Sequence, residues 1–483
     1  MNRRMILRLV CLILRVEAVS LVPAVVLSLV FREWHAAFGL SVTVVLSALL
    51  SLLSLLAPAD DKSIGAQEGF ISVALCWIAV SAVGALPFLL SGAIPNYIDA
   101  FFETVSGFTT TGASILPNVE AMPKSLLYWR SFTHFLGGMG VLVFLLAVVP
   151  MGKGKNSLLH VMRAESTGPQ VDKLVPKLQS SAKILYTIYV VLTLIEIVFL
   201  LAGGMPLFDS VCTAFGTAGT GGFGIKNDSL AGYSMYLQGV VTVFMALFGV
   251  NFSIFYLLLL RQFKSVAKNQ ELLLYLGIML TSIVLITVNI LPLYRGQGGF
   301  KAFHDAAFQV SSIMTTTGFS TVDFDLWPPL SKAILLVLMF VGGCAGSTGG
   351  GVKVARILLM FKASKRSVKR MLTPRSVSLV HVDGQRISED VIFNTYSYIA
   401  LHILTFAVSM LIVSIDEFSI ETNVSAVMAC LNNIGPGFDV VGPTRNFADF
   451  SPLSKIVLSF NMLAGRLELF PVLMLFLPKA WKR

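Results

Sequence analysis

Thr109-Thr110-Thr111-Gly112-Ala113-Ser114 is the stretch on which the fold turns, because the chain writes it four times. The other copies are Gly219-Thr220-Gly221-Gly222-Phe223-Gly224, Thr315-Thr316-Thr317-Gly318-Phe319-Ser320 and, more worn, Ile434-Gly435-Pro436-Gly437-Phe438-Asp439. Each follows an apolar segment too short to cross a bilayer and precedes a longer one. An Asp stands 13 residues before the central glycine in three copies: Asp99 before Gly112, Asp209 before Gly222, Asp305 before Gly318. Counted back from Gly437, the fourth has Val424 there. Irregular backbone at membrane depth is tolerated only where it lines a cavity or is buried in protein. Four such strips around one axis make a ring of carbonyls able to replace the water around a bare cation.

Composition places those strips in a bilayer. Of 483 residues, 55% are hydrophobic and 13% charged, about half the charged share of a soluble domain. The chain therefore reads as an all-α integral membrane protein. Its net charge of +10 sits in the connections, which argues for membrane orientation and anionic lipid rather than nucleic acid. Cys11, Cys76, Cys212, Cys344 and Cys430 are scattered through apolar segments without the spacing of a disulfide framework or a transition-metal site.

Working outward, residues 1–65 hold two spans, Met5 to Phe31 and Ala36 to Leu56, that belong to no repeat. Four units follow at residues 66–165, 166–268, 269–376 and 377–483. Each reads as span, half-span with strip, returning span. The first spans are Phe70 to Leu90, Leu185 to Gly203, Leu272 to Leu291 and Val391 to Ile415. The half-spans are Tyr97 to Phe108, Leu207 to Gly216, Phe303 to Met314 and Thr422 to Asn433. The returning spans are Tyr128 to Pro150, Tyr236 to Leu260, Ala333 to Phe361 and Leu453 to Leu477. A period of about 100 residues marks one internal fourfold repeat. The architecture expected is four parallel helix–pore-helix–filter–helix repeats forming a pseudo-tetrameric pore.

Charge orients the repeat. Lys153, Lys155, Arg163, Lys173 and Lys177 lie between units one and two; Arg261, Lys264 and Lys268 between two and three; Lys362, Lys365, Arg366, Lys369, Arg370 and Arg375 between three and four. Arg3, Arg4, Lys479, Lys482 and Arg483 mark the ends. With ten spans these all fall on one side, which the positive-inside rule makes cytoplasmic, with both termini there. The strips then face outward, followed by Asp228, Asp323, Asp325 and Asp439, acids that concentrate cations or simply solvate a loop face. The Asp at the start of three half-helices is expected to cap it and accept backbone N–H groups.

Two features below the strips suggest a gate. Phe340 to Val352 reads Phe-Val-Gly-Gly-Cys-Ala-Gly-Ser-Thr-Gly-Gly-Gly-Val, dense enough in glycine to break the third returning span into a loop over residues 341–352. It is no phosphate loop, since Lys353 is followed by Val354. Arg466 lies inside the apolar run Ile456 to Leu477. A charge there needs acids or carbonyls, so Arg466 is expected to meet the freed carbonyls of the glycine loop and latch the path. Glu196 is a second charge in mid-span, and His134 is expected to pack or hydrogen-bond between helices.

No polar constellation near an interface supports an enzyme. An alternating-access carrier calls for inverted repeats, whereas these run parallel, which favours a pore.

The strips, Gly342-Gly343-Cys344-Ala345-Gly346-Ser347-Thr348-Gly349-Gly350-Gly351 and Gly465-Arg466-Leu467-Glu468 together resemble the TrkH/KtrB/HKT superfamily of potassium transporters. The two extra N-terminal helices and Phe101-Phe102-Glu103-Thr104-Val105-Ser106-Gly107-Phe108 before the first strip resemble its bacterial TrkH branch. The resemblance implies a potassium filter at Thr110, Thr111, Gly112, Thr220, Gly221, Gly222, Thr316, Thr317, Gly318, Gly435, Pro436 and Gly437. It implies a gate at Gly346, Gly349, Gly350, Gly351 and Arg466. It also implies K+ as the transported ion with no organic cofactor, a homodimer in the bacterial inner membrane, and a cytoplasmic nucleotide-binding regulatory partner of the TrkA type. Family members with Ser at the first filter tend to admit sodium; Gly112 here implies potassium. No strip reads Thr-Val-Gly-Tyr-Gly, and Pro436 lacks an N–H, so selectivity is expected to be looser than in a dedicated potassium channel.

Overall fold

The computed structural model describes residues 3–56, 65–140, 178–296, 298–373 and 378–481. Two long helices, Arg3–Val30 and Trp34–Leu52, form an antiparallel hairpin at the N-terminus. Glu33 at its tip accepts the Lys124 and Ser125 N–H groups at 2.8 and 3.0 Å and the Ser125 hydroxyl at 2.5 Å. That carboxylate caps the first returning helix from another element, which ties the hairpin to unit one.

Four units of helix, half-helix, strip and returning helix follow, as the repeat predicts. The outer spans begin at Ala66–Gly84 (continued by Leu86–Leu90), Leu178–Ala202, Gln270–Ile290 and Glu389–Val413. With the hairpin helices these are the six described helices long and apolar enough to cross a membrane unbroken. The half-helices are Tyr97–Phe108, Leu207–Gly219, Gly299–Met314 and Ile420–Leu431. Around the first, Phe88, Phe102, Phe108 and Trp129 are fully buried, so this half-helix lies inside protein rather than against lipid.

The returning spans depart from the continuous helices expected. The first runs Lys124–Gly138 and stops at Met139 and Gly140; the rest of its expected course, and the basic stretch from Lys153 to Lys177, lie outside the described residues. The second is Met235–Phe248 and Phe252–Leu259, bent by 91°. The third is Pro329–Val341, a loop from Gly342 to Lys353, then Val354–Leu372. The fourth is Pro452–Arg466 and Phe470–Met474, parted by Glu468 and Leu469 at positive φ. The cause is crowding. A Cβ on Gly137 would stand 1.8 Å from the Phe108 carbonyl oxygen, and one on Gly465 1.9 Å from that of Leu431. In units one and four the returning helix presses closely on the half-helix end and breaks within a few residues of that contact.

The three Asp residues do not cap backbone as expected. Asp99 pairs with Lys455 of unit four at 2.7 Å, Asp209 accepts the Tyr233 hydroxyl at 2.8 Å, and Asp305 takes Lys301 at 2.7 Å and Tyr294 at 2.9 Å. They tie half-helices to neighbours instead. One small hairpin was not anticipated: His381–Val382 pairs with Gln385–Arg386, and the carboxylate of Asp383 in its turn accepts the Gln270 N–H at 2.9 Å.

Candidate pore and gate

Each half-helix ends in the same way. Thr110, Thr220, Thr316 and Asn433 follow it in the left-handed region, at φ 54°, 54°, 59° and 55°. The next N–H reaches back five residues: Thr111 to the Ser106 carbonyl at 2.9 Å, Gly221 to Gly216, Thr317 to Ser312 and Ile434 to Ala429, each at 2.8 Å. This is the Schellman ending, ordinarily made by Gly or Asn. Threonine there costs on the order of 1–3 kcal/mol and persists only where its surroundings over-determine it.

The surroundings are the other strips. A Cβ on Gly112 would stand 2.0 Å from the Gly221 carbonyl oxygen, one on Gly222 1.9 Å from Thr317, one on Gly318 2.2 Å from Ile434, and one on Gly435 2.7 Å from Thr111. The contacts run one to two, two to three, three to four and four back to one. The strips therefore close a ring, with the carbonyls of Thr111, Gly221, Thr317 and Ile434 at one level.

This ring corrects the register of the fourth strip. Gly435 takes the place expected of Gly437, whose Cβ would instead meet the side chains of Ser425 and Val441 at 2.8 Å. Pro436 consequently corresponds to Ala113, and its missing N–H falls outside the back-bonded turn. Counted from Gly435, the Asp position is Thr422, not Val424. The Thr422 hydroxyl donates to Asp439 at 2.7 Å, and the capping Ser419 hydroxyl to the same oxygen at 2.6 Å. The carboxylate missing before the fourth strip is supplied from after it. Those bonds, Ser419 first, hold the Asp439 carboxyl below the usual carboxylate range. The acids on this face are also partly neutralised: Asp325 pairs with Lys332 at 2.8 Å, and Asp439 approaches Arg445 at 3.6 Å.

The glycine loop lies against the ring from the opposite side. The Gly350 N–H donates to the Thr316 hydroxyl at 2.6 Å and the Gly351 N–H to the Asn432 carbonyl at 3.0 Å. A Cβ on Gly350 would stand 2.3 Å from the Asn432 oxygen, and one on Gly349 2.8 Å from that of Thr315. The bend in the second returning helix feeds the same loop. Its freed Gly249 and Phe248 carbonyls accept from Cys344 N–H at 3.0 Å and the Thr348 hydroxyl at 3.2 Å, and Phe252 N–H donates to the Gly346 carbonyl at 3.1 Å. Glu271 accepts the Ala345 N–H at 2.6 Å, and the Lys353 ammonium bonds the Gly349 carbonyl.

Arg466 joins three units at this level. From the end of the fourth returning helix it donates to the Thr348 carbonyl at 2.7 Å, to Gly138 at 2.6 Å and to Gly137. A central arginine costs roughly 3 kcal/mol in a bilayer, whereas each bond from a charged donor contributes roughly 1.5–3 kcal/mol. Three such bonds outweigh the cost. Glu468 turns away, to Arg356 at 2.5 Å.

In this layer His134 makes the interhelical hydrogen bonds expected of it, while the role of Asn433 escaped the sequence reading. His134 bonds the Gly107 carbonyl through Nδ1 at 2.8 Å and accepts the Phe223 N–H on Nε2 at 3.2 Å, which spans units one and two. Asn433 donates to the Thr111 hydroxyl at 3.0 Å and the Met462 carbonyl at 2.8 Å. The signal for both was a polar side chain within an apolar run. Glu196 is buried in the second outer span, with Thr217 of the second half-helix beside its carboxyl.

A family model described as TrkH, cation transport protein, matches residues 40–483. The Trk system potassium uptake protein TrkH of Salmonella typhimurium is 35% identical over 492 residues, covering 100% of both chains. The Trk system potassium uptake protein TrkG of Escherichia coli K12 is 34% identical over 423 residues, 86% of each chain. Among solved structures, that of the potassium transporter TrkH from Vibrio parahaemolyticus matches with a TM-score of 0.88 at 31% identity, covering 100% of both chains.

Proposed function

The chain belongs to the TrkH family of cation transport proteins, and from that premise we propose that it takes up potassium through the ring of four strips, gated by the glycine loop beneath. Members of this family are transport proteins, not enzymes. The observation that carries the reading is the cyclic approach of each ring glycine to the next strip's carbonyl. A dehydrated potassium ion is held by the carbonyls of Thr111, Gly221, Thr317 and Ile434, oxygens standing in for its hydration shell. The four half-helices end at this ring, and their C-terminal dipoles favour a cation there. Thr110, Thr220, Thr316 and Asn433 set the strip geometry, and Gly112, Gly222, Gly318 and Gly435 permit the close approach.

Arg466 latches Gly346 to Gly351 beneath the ring, in a shut pore. Opening requires its bonds to Thr348 and Gly138 to be exchanged for others. The four units divide at about residues 66, 166, 269 and 377. The same reading includes a homodimer in the bacterial inner membrane, both termini cytoplasmic, working with a nucleotide-binding partner of the TrkA type on the basic face.

The test is cation flux into proteoliposomes holding the purified chain, comparing potassium, rubidium, sodium and lithium, with Gly112→Ser alongside. Potassium and rubidium should exceed sodium and lithium, and Gly112→Ser should lower that ratio. Equal flux of all four cations would overturn selectivity at the ring.

A further inference from the structure

The ring is braced unequally. Nine residues before the ring glycine, unit one carries Glu103, where the others carry Thr213, Gln309 and Ala426. Glu103 accepts Arg130 Nε at 2.6 Å, the Ser114 hydroxyl at 3.0 Å and the Ile115 N–H at 2.9 Å. Arg130 continues across the unit boundary. Its Nη1 donates to the Gly224 carbonyl at 2.8 Å, and its guanidinium carbon stands 3.5 Å from the centre of the Phe223 ring. The side chains are 3% and 0% exposed, the only ion pair among the described residues so enclosed on both sides.

We infer that the Glu103–Arg130 pair is a selectivity-positioning clamp, joining the limbs that leave strips one and two and so setting the Gly112–Gly221 side of the ring. This deepens the potassium reading and rests on it. Ser114 and Ile115 follow Gly112 by two and three residues, and Phe223 and Gly224 follow Gly222 directly. The pair therefore acts on both strips just beyond the carbonyls that meet the ion. In unit three Gln309 reaches Thr321, the counterpart of Ile115, at 3.5 Å; it carries no charge and no arginine. Guanidinium geometry is required because one planar group must stack on a ring and donate along two directions, which lysine cannot do.

Breaking either partner alone leaves a buried charge unpaired and threatens folding, whereas neutralising both does not. The decisive variant is thus Glu103→Gln/Arg130→Met, read beside the parent and Arg130→Lys in proteoliposomes by potassium and sodium flux. The double variant should elute as a folded, monodisperse protein, conduct potassium, and lose roughly tenfold in potassium-to-sodium ratio, the scale set by hydrogen bonds to charged groups. The half-saturating potassium concentration should rise while thermal stability stays near the parent's, a split that a packing role would not produce. If the double variant does not fold, Arg130→Lys carries the test and should show the same direction. A folded variant with the parent's ratio overturns the clamp. A parent that does not distinguish potassium from sodium overturns the selective pore, and the clamp with it.

Discussion

The ring and the layer beneath it are built on opposite plans. In the ring the four units agree: the left-handed residues differ by 5° in φ and the back-bonds by 0.1 Å. One layer below, the four returning helices end in a stop at Gly138, a 91° bend, a twelve-residue loop from Gly342 to Lys353, and a break at Leu469. A bound cation meets its ligands from all sides at once, so uniform carbonyl geometry serves it. A gate needs one part free to move against others held still. In the proposed pore the loop of unit three is that part, held by Glu271 of its own outer span, Gly249 of unit two and Arg466 of unit four.

The contrast is most severely tested in the ring itself. Gly222→Ala forces a Cβ to 1.9 Å from the Thr317 oxygen at φ +72°, and potassium uptake should fall roughly a hundredfold, with strain and backbone displacement acting together. Gly437→Ala meets the side chains of Ser425 and Val441 but no backbone carbonyl among its nearest atoms and should stay within about threefold of the parent in the same assay. Equal losses at both would undo the fourth-strip register. In the lower layer the sign reverses. Arg466→Ala removes the latch to Thr348 and Gly138 and should raise flux roughly tenfold in the absence of a cytoplasmic partner, the equivalent of one charged hydrogen bond. Unchanged or lower flux from folded protein would count against the latch.

The smallest effect belongs to the worn fourth unit. Asp439 is held ionised by Ser419 and Thr422, so its folded pKa lies below its unfolded one. Its stabilisation is therefore present above the ordinary carboxylate range and lost as pH falls through the lowered value. Asp439→Asn should lower the melting temperature by no more than roughly 2 °C at neutral pH, since the site is partly exposed. The two proteins should converge only once the pH has fallen below that lowered value. A gap that persists in acid would show that packing, not charge, holds this cap.

Much of this was legible because membrane sequences carry strong signals. Four Thr/Gly strips after short apolar segments announced four half-helices, and the glycine run announced a loop whose observed span is Gly342 to Lys353. Arg466 announced carbonyl partners simply by being charged. The fourth strip misleads because its most visible feature, Gly435-Pro436-Gly437, offers two glycines, and only the first stands 13 residues after the residue that meets a carboxylate, Thr422. The left-handed residue there is Asn433, which only backbone geometry aligns with Thr110. The returning spans misled for another reason: hydropathy reports what a segment dissolves in, not whether its helix is continuous.

By itself, then, the sequence determined the class, the count and the order of elements, because burial in lipid demands apolar length and irregular backbone stands out against it. It also marked which residues are exceptional: glycines in the strips, and Arg466 and Glu196 in apolar runs. Tertiary structure alone decided who meets whom. Ring closure from Gly435 to Thr111, the supply of Asp439 to the fourth half-helix, the spread of Arg466 over three units and the reach of Arg130 into strip two all join residues far apart in the chain. No local pattern encodes such contacts, because each depends on where four separately formed units pack around one axis.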